Sequence, residues 1–321
     1  MHFWVLRGVG GHSCLWMSRA RRVLDRHRQV VTKPFLGTEA LARGDVSVRT
    51  LHSRYERVYR NVYLPKGCEM TAAKRAVAAW LWSGRQSTLV GLSAAAVHGA
   101  KWIDPSLPAE LYRRNGKPVR GILIHRDELF DDELQSIRGM SASTPARTAF
   151  DLGRRRGRTL AVVRVDALAN ATGLRAAPVG QLVRRHPGVR GLRQLRDVIE
   201  LMDCGAESPQ ETRTRLVLVD AGLPRPRTQI GVDEWRIDMG YPEFKVGVEY
   251  DGEQHWTDPR QRRRDIDRHA ELLDRGWRIV RVSADMLGCR RDVILSRTCM
   301  SLRRAGAEWP VIARILEDCV A

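Results

Sequence analysis

The sequence predicts an α/β protein of the α+β kind, and three observations carry that prediction. The last third of the chain reads as helix, three strands, helix, strand. Two of those strands, around 235–239 and 245–251, alternate apolar and polar residues with period two. Ahead of them, alanine-rich helical stretches are interleaved with short apolar strands, so both element types occur throughout the chain.

The C-terminal elements are well punctuated. In Ser208-Pro209-Gln210-Glu211, Ser208 is the expected N-cap, Pro209 sits at N1, and Glu211 at N3 completes a capping box. That helix runs through Leu216 and Val219 to Gly222, which stops it. Strands are expected over 228–232, 235–239 and 245–251. Asp258-Pro259-Arg260 opens a second helix, with Ile266, Ala270 and Leu273 on its inner face and Gly276 at its end. Residues 278–282 form the last strand.

The stretch 236–255 concentrates acids. Around the Gly240-Tyr241-Pro242 turn, Trp235, Ile237 and Met239 are expected on one face, and Arg236 and Asp238 on the other. In the next strand Val246, Val248 and Tyr250 point one way, and Glu249 and Asp251 the other. A hairpin would gather Asp238, Glu249 and Asp251 near the strand ends, where like charges repel unless a cation sits among them. Glu249 lies within an apolar strand, where an unpaired carboxylate is costly, so a metal or an arginine is expected beside it. Bland roles stay open: Glu211 as a cap alone, and Asp238 in a surface pair with Arg236 or Arg215, which would add little stability.

Ordered structure is expected from Phe35, after a basic tail over 1–33 with seven basic residues and one acid. Residues 37–44 read as a short helix, 46–55 as a second with Ser47 as N-cap, and 58–65 as a strand pair or wing. Helix, turn, helix, wing is a compact plan for reading nucleic acid, so 34–70 is expected to be winged-helix-like. Arg49, His52, Arg54 and Arg57 would line the exposed side of the second helix and its exit, as phosphate contacts or as a solvated face.

Residues 71–203 are expected to form a mixed, mainly helical domain. Helices are read over 72–83, 93–98 and 144–154, and short strands over 109–112 and 122–125. Leu182, Val189, Leu192, Leu195, Val198 and Leu201 then keep a helical period, with Arg184, Arg185, Arg190, Arg193 and Arg196 decorating its surface. Asp203-Cys204-Gly205-Ala206 reads as a break and places the last domain at 204–321.

Charge is unevenly spread. The chain has 55 basic and 37 acidic residues, a net +18; from Gly205 onward the count is 20 of each, so the whole excess lies in the first 204 residues. Such asymmetry suggests a polyanionic partner, or a proteome that favours arginine. Six scattered cysteines without a C-x-x-C pair support neither a zinc site nor a disulfide framework, which fits a reducing cytoplasm. No apolar run reaches membrane-spanning length.

Two resemblances rest on these residues. The basic winged start, Leu92-Ser-Ala-Ala-Ala-Val-His-Gly99, Gly121-Ile-Leu-Ile-His-Arg126 and Ser143-Thr-Pro-Ala-Arg-Thr-Ala-Phe-Asp151 resemble the AbiEi-like antitoxins of abortive-infection systems, over roughly 35–170. That resemblance implies a DNA-binding regulator, with a toxin as partner. The C-terminal order, with Arg-Ile-Asp238, Val-Gly-Val-Glu249-Tyr-Asp251-Gly and Gly-Trp-Arg-Ile-Val-Arg281, resembles the PD-(D/E)xK superfamily. More narrowly it is similar to the very-short-patch-repair endonucleases and to uncharacterised proteins built on the same domain. This second resemblance implies a restriction-endonuclease-like fold, a DNA substrate and phosphodiester hydrolysis with Mg²⁺ or Mn²⁺.

By the resemblance, Asp238 and Glu249 match the two acidic metal ligands, and Glu211 matches a helix glutamate that extends the metal site through a water. Asp251 stands where the superfamily usually has lysine, a departure that leaves the activity open. His255 is the candidate general acid or base that takes up part of the lysine's work. Asp265 and Arg268 match a recurring Asp-x-x-Arg pair, structural or phosphate-contacting.

Overall fold

Ser47, Thr71, Thr144, Ser208 and Ser283 each turn a side-chain oxygen onto a backbone N–H three residues ahead. These caps satisfy donors that a helix start leaves open, and so fix where five helices begin. In the computed structural model the described residues are 32–114, 119–252 and 259–319, with the side chains of 259–262 excepted. The expected tail over 1–33 lies almost wholly outside them. The chain forms two compact units, 32–97 with 104–143, and 98–103 with 144–319.

In the first unit, β1 (Phe35–Leu36), α1 (Gly37–Ala42), α2 (Val48–Arg54), β2 (Tyr55–Tyr59) and β3 (Val62–Pro65) follow in order. Their three strands pair in the order β1-β3-β2. Phe35, Ala40, Val46, Leu51 and Tyr55 form a small core between them. Next come α3 (Ala72–Trp82), β4 (Thr88–Leu89), α4 (Gly91–Val97), β5 (Ala109–Tyr112), β6 (Ile122–His125), β7 (Leu134–Ile137) and β8 (Met140–Ser143). The last five strands make a mixed sheet in the order β6-β5-β4-β8-β7. Strands β4, β7 and β8 were not foreseen: β4 has two residues, Gln135 and Ser136 of β7 face solvent, and β8 is a four-residue Met-Ser-Ala-Ser, so none shows a strong apolar alternation.

The second unit opens with α5 (Pro145–Gly153), α6 (Arg158–Thr172), α7 (Ala176–Arg185) and α8 (Leu192–Leu201). The helical period read across 182–201 is therefore two helices. Gly188 and Gly191 take left-handed φ values between them, and a Cβ on Gly191 would meet the Arg154 carbonyl at 2.2 Å, so only glycine fits there. Then follow α9 (Pro209–Asp220), β9 (Arg227–Val232), β10 (Trp235–Tyr241), β11 (Val246–Tyr250), α10 (Pro259–Asp274), β12 (Arg278–Val282), α11 (Ala284–Cys289), α12 (Arg291–Arg304) and α13 (Pro310–Asp318). This is the expected α-β-β-β-α-β order with three helices appended. The sheet runs β12-β11-β10-β9, antiparallel except for the β11–β12 pair, whose crossover carries α10.

Apolar residues cover both faces of that sheet. Met239, Tyr241, Val246, Val248, Val280 and Val282 pack with Leu218, Ile294, Leu302 and Ile312 of the flanking helices. Ile237, Ile230 and Trp277 pack on Leu272 of α10. Ile237 and Met239, expected on one face, thus belong to different cores. The reason lies at the rung between them: Gln229 on β9 takes φ +51°, and the Asp238 carboxylate, on β10, accepts the Tyr250 N–H at 2.9 Å. Strict alternation ends there.

The segment 203–206, read as a domain break, is a hydrogen-bonded junction inside the second unit. Asp166 of α6 pairs with Arg215 of α9 at 2.7 Å, both fully buried, and accepts the Asp203 N–H and the Thr212 hydroxyl. The Asp203 carboxylate takes the Gly205 N–H, the Thr228 hydroxyl and Arg225. Helices α5–α8 and the sheet domain therefore share one compact unit. Among the described residues no helix is long and apolar enough to cross a membrane.

Candidate active site

The acids gather where β10, β11, α9 and α10 meet. Glu249, at the fourth position of β11, is 7% exposed, and both its oxygens are taken by the guanidinium fork of Arg268 on α10, with the Nη1 contact at 3.0 Å. Arg268 also donates to the Arg236 carbonyl of β10 at 2.9 Å. A bidentate guanidinium is the strongest neutral-making partner available to a buried carboxylate. The arginine anticipated beside Glu249 is present, as Arg268.

That pairing decides which way α10 faces. Ile266 and Leu273, expected inside, are each 60% exposed, and Ala270 is exposed as well. Instead Leu272, 1% exposed, and the half-buried Asp265 and Arg268 turn inward. The spacing 265, 268, 272 is one helical face. The helix is oriented by the charge that Glu249 requires as much as by its apolar residues.

Asp238 accepts the Tyr250 N–H through Oδ2 and is drawn towards neither Arg236 nor Arg215, which pair with Glu207 and Asp166 at 2.7 Å each. Burial, then the negative charge of Glu211 and Glu249, raises its pKa to about 7, against the pull of the Tyr250 N–H and Arg268. Burial also pushes the Glu211 carboxyl up. Glu211 Oε2 accepts the Glu207 N–H at 2.9 Å and the Gln229 side-chain amide at 3.2 Å. Its backbone N–H binds Ser208 Oγ as a cap should, and its carboxylate interacts with the Ser208 hydroxyl while taking the backbone N–H of Glu207, the residue before the cap. The reciprocal bond from the carboxylate thus goes to the Glu207 N–H in place of the N-cap N–H, and the Glu211 charge acts on Asp238.

The structure thus brings together Glu211, Asp238, Glu249 and Arg268. Asp251 stands apart: its N–H continues the ladder to the Val282 carbonyl, and its carboxylate lies 3.5 Å from Arg281. His255 lies outside the described residues. Arg49 and Arg54 on α2 and Arg57 on β2 are all exposed, in the first unit. Sequence reasoning did not foresee Gln229, whose left-handed backbone places its amide on Glu211. A non-glycine residue held at positive φ beside an acidic cluster marks local strain of the kind that concentrates at functional sites.

Residues 211–301 match the family model REase_MTES_1575, a restriction-endonuclease-like family. The matched span begins at Glu211 and takes in the whole sheet and α10. Two Mycobacterium tuberculosis proteins are also similar: the uncharacterized proteins MT2308 (strain CDC 1551 / Oshkosh) and Rv2248 (strain ATCC 25618 / H37Rv). Each is 29% identical over 194 residues, 59% of this chain and 71% of theirs. The C-terminal part of this chain is therefore restriction-endonuclease-like, a nuclease-type fold.

Such domains generally use divalent metals. The donors here suit a hard cation, because Glu211, Asp238 and Glu249 offer only oxygens, and the charges of Glu211 and Glu249 add to burial in raising Asp238. Among the described residues, though, no group of three or more His, Cys, Asp or Glu side chains stands at ligand spacing. Arg268 fills the role of counter-cation. The donor chemistry fits a divalent ion once Glu249 is released from that arginine.

Proposed function

We propose that this chain is a divalent-metal-dependent endodeoxyribonuclease, using Mg²⁺ or Mn²⁺ to hydrolyse DNA phosphodiesters at the Asp238–Glu249 site. The observation that carries the proposal is the gathering of Glu211 and Glu249 about the buried Asp238, where burial first and then their charges raise the Asp238 carboxyl to about 7, within a span that matches a restriction-endonuclease-like family. Asp238 and Glu249 would hold the ion, and Glu211 would extend the acidic set. The ion, when bound, lowers the pKa of a water and relieves charge on the phosphate. The Tyr250 N–H fixes the orientation of the Asp238 carboxylate, and Glu207 and Gln229 fix that of Glu211. His255 is the candidate acid or base.

Attraction of the polyanion does not depend on the first unit alone. Residues 144–204, in the same compact unit as the acids, carry 12 basic and 5 acidic residues. Arg184, Arg185, Arg190, Arg193 and Arg196 are exposed there. Arg49, Arg54 and Arg57, on a winged-helix-like start, would add sequence-independent phosphate contacts. Supercoiled plasmid and a labelled RNA, each incubated with Mg²⁺ or Mn²⁺, test the proposal. Nicking or linearisation of the plasmid supports it, RNA breakdown alone redirects it to an RNA nuclease, and no cleavage of either refutes it.

A second reading is favoured by one observation: Asp251, which by the resemblance stands where a lysine is usual, lies 3.5 Å from Arg281. On that reading the domain keeps its fold without cleaving, and the chain is a DNA-binding regulator of the antitoxin type with a toxin partner. Metal-independent DNA binding without cleavage would be its signature.

A further inference from the structure

We propose that Arg268 is the resident counter-cation of this site and that it is exchanged: it neutralises Glu249 while no metal is bound, and passes to a substrate phosphate once a divalent ion takes that carboxylate. The inference rests on the metal-site reading above and assigns the missing positive charge to a residue on α10.

The geometry supports it in three ways. First, Arg268 takes both oxygens of Glu249, the residue that would be a metal ligand, so guanidinium and metal compete for the same lone pairs. Second, Arg268 is not simply buried structure. Its side chain is 18% exposed, and its second anchor is a neutral backbone carbonyl, that of the exposed residue Arg236. The one charged acceptor the guanidinium would give up is Glu249, and the metal would satisfy Glu249. Third, Arg281, the cation beside Asp251, is turned to that carboxylate. Arg268 is the cation that lies beside both Glu249 and the Asp238 charge. A planar guanidinium suits a phosphate as well as it suits a carboxylate, so the same fork serves both partners.

The test uses the full-length chain with Arg268→Gln, which keeps a hydrogen-bonding amide but no charge, and Arg268→Lys, which keeps charge but loses the fork. Calorimetric titration with Mn²⁺ alone should show Arg268→Gln binding about tenfold or more tighter than wild type, the scale of one charge-assisted pair that no longer has to be displaced. Arg268→Lys should fall between the two. Binding to a DNA duplex in Ca²⁺ should weaken in Arg268→Gln, and the slope of log affinity against log salt should become shallower by about 0.9, the value of one neutralised phosphate. A merely structural arginine would not move that slope. If Arg268→Gln is too unstable to titrate, a larger rise of its melting temperature with Mn²⁺ than wild type shows reports the same competition. Mn²⁺ binding that is unchanged or weaker in Arg268→Gln overturns the exchange while leaving the metal site standing. An unchanged salt slope overturns the passage to phosphate. If neither wild type nor variant binds Mn²⁺, the metal-site reading falls and the exchange with it.

Discussion

Replacing Asp238 by asparagine keeps the side chain's shape and an oxygen for the Tyr250 N–H, and removes only the charge. An aspartate ordinarily titrates at 3.8, and burial beside Glu211 and Glu249 raises this one to about 7. Between those values the folded chain holds a proton that the unfolded chain has lost, so folding stability falls as pH rises through the window and stays reduced above it. Each pH unit of that gap is worth about 1.4 kcal/mol, so the ionised carboxylate costs at most about 4 kcal/mol at pH 8. The Asp238→Asn variant escapes this cost. Urea unfolding of both proteins from pH 5 to pH 9 should show the variant's advantage growing by about 1.4 kcal/mol per pH unit up to neutrality, then levelling. Saturating Mg²⁺ at pH 8 should close the gap by stabilising the wild type alone. A pH-independent difference, or a variant less stable than wild type at pH 8, would refute the electrostatic account of the site.

Three further outcomes follow from the same structure. Arg215→Met strands the buried Asp166 and should cost about 3–5 kcal/mol at neutral pH; the loss should shrink on acidification, because burial already raises Asp166 to about 6, and chemical denaturation reads both. Gly240→Ala places a methyl 2.2 Å from the Val246 carbonyl across the hairpin, so it should destabilise by about 1–3 kcal/mol in the same assay. Joint replacement of Arg49, Arg54 and Arg57 by alanine should weaken duplex binding and reduce its salt slope by about 0.9 for each phosphate no longer neutralised, with thermal stability nearly unchanged because all three are exposed.

The order of elements was legible because its signals are local. Ser47, Thr71, Thr144 and Ser208 announce helices within four residues, and the alternation in 246–250 needs no distant partner. The acids were legible as acids, and the need of Glu249 for a positive partner followed from its apolar neighbours. What could not be read was set over long range. The inward face of α10 is chosen by Glu249, 19 residues from Arg268, against the apolar residues Ile266 and Leu273. Glu211, on a helix well before the strands, acts on Asp238 only through the fold, with the Gln229 amide donating to its carboxylate. The junction at 203–206 looked like a linker because the residues that knit it, Asp166, Arg215 and Arg225, are spread over 60 residues of sequence.

The most direct test of the central claim is cleavage of supercoiled plasmid at pH 8 by wild type and by Asp238→Asn, each with and without Mg²⁺ or Mn²⁺. The variant is expected to be folded and at least as stable as wild type at that pH, so lost activity cannot be put down to unfolding. The account predicts metal-dependent nicking or linearisation by wild type and none by Asp238→Asn. Cleavage that survives the substitution, or that proceeds equally in EDTA, would contradict it.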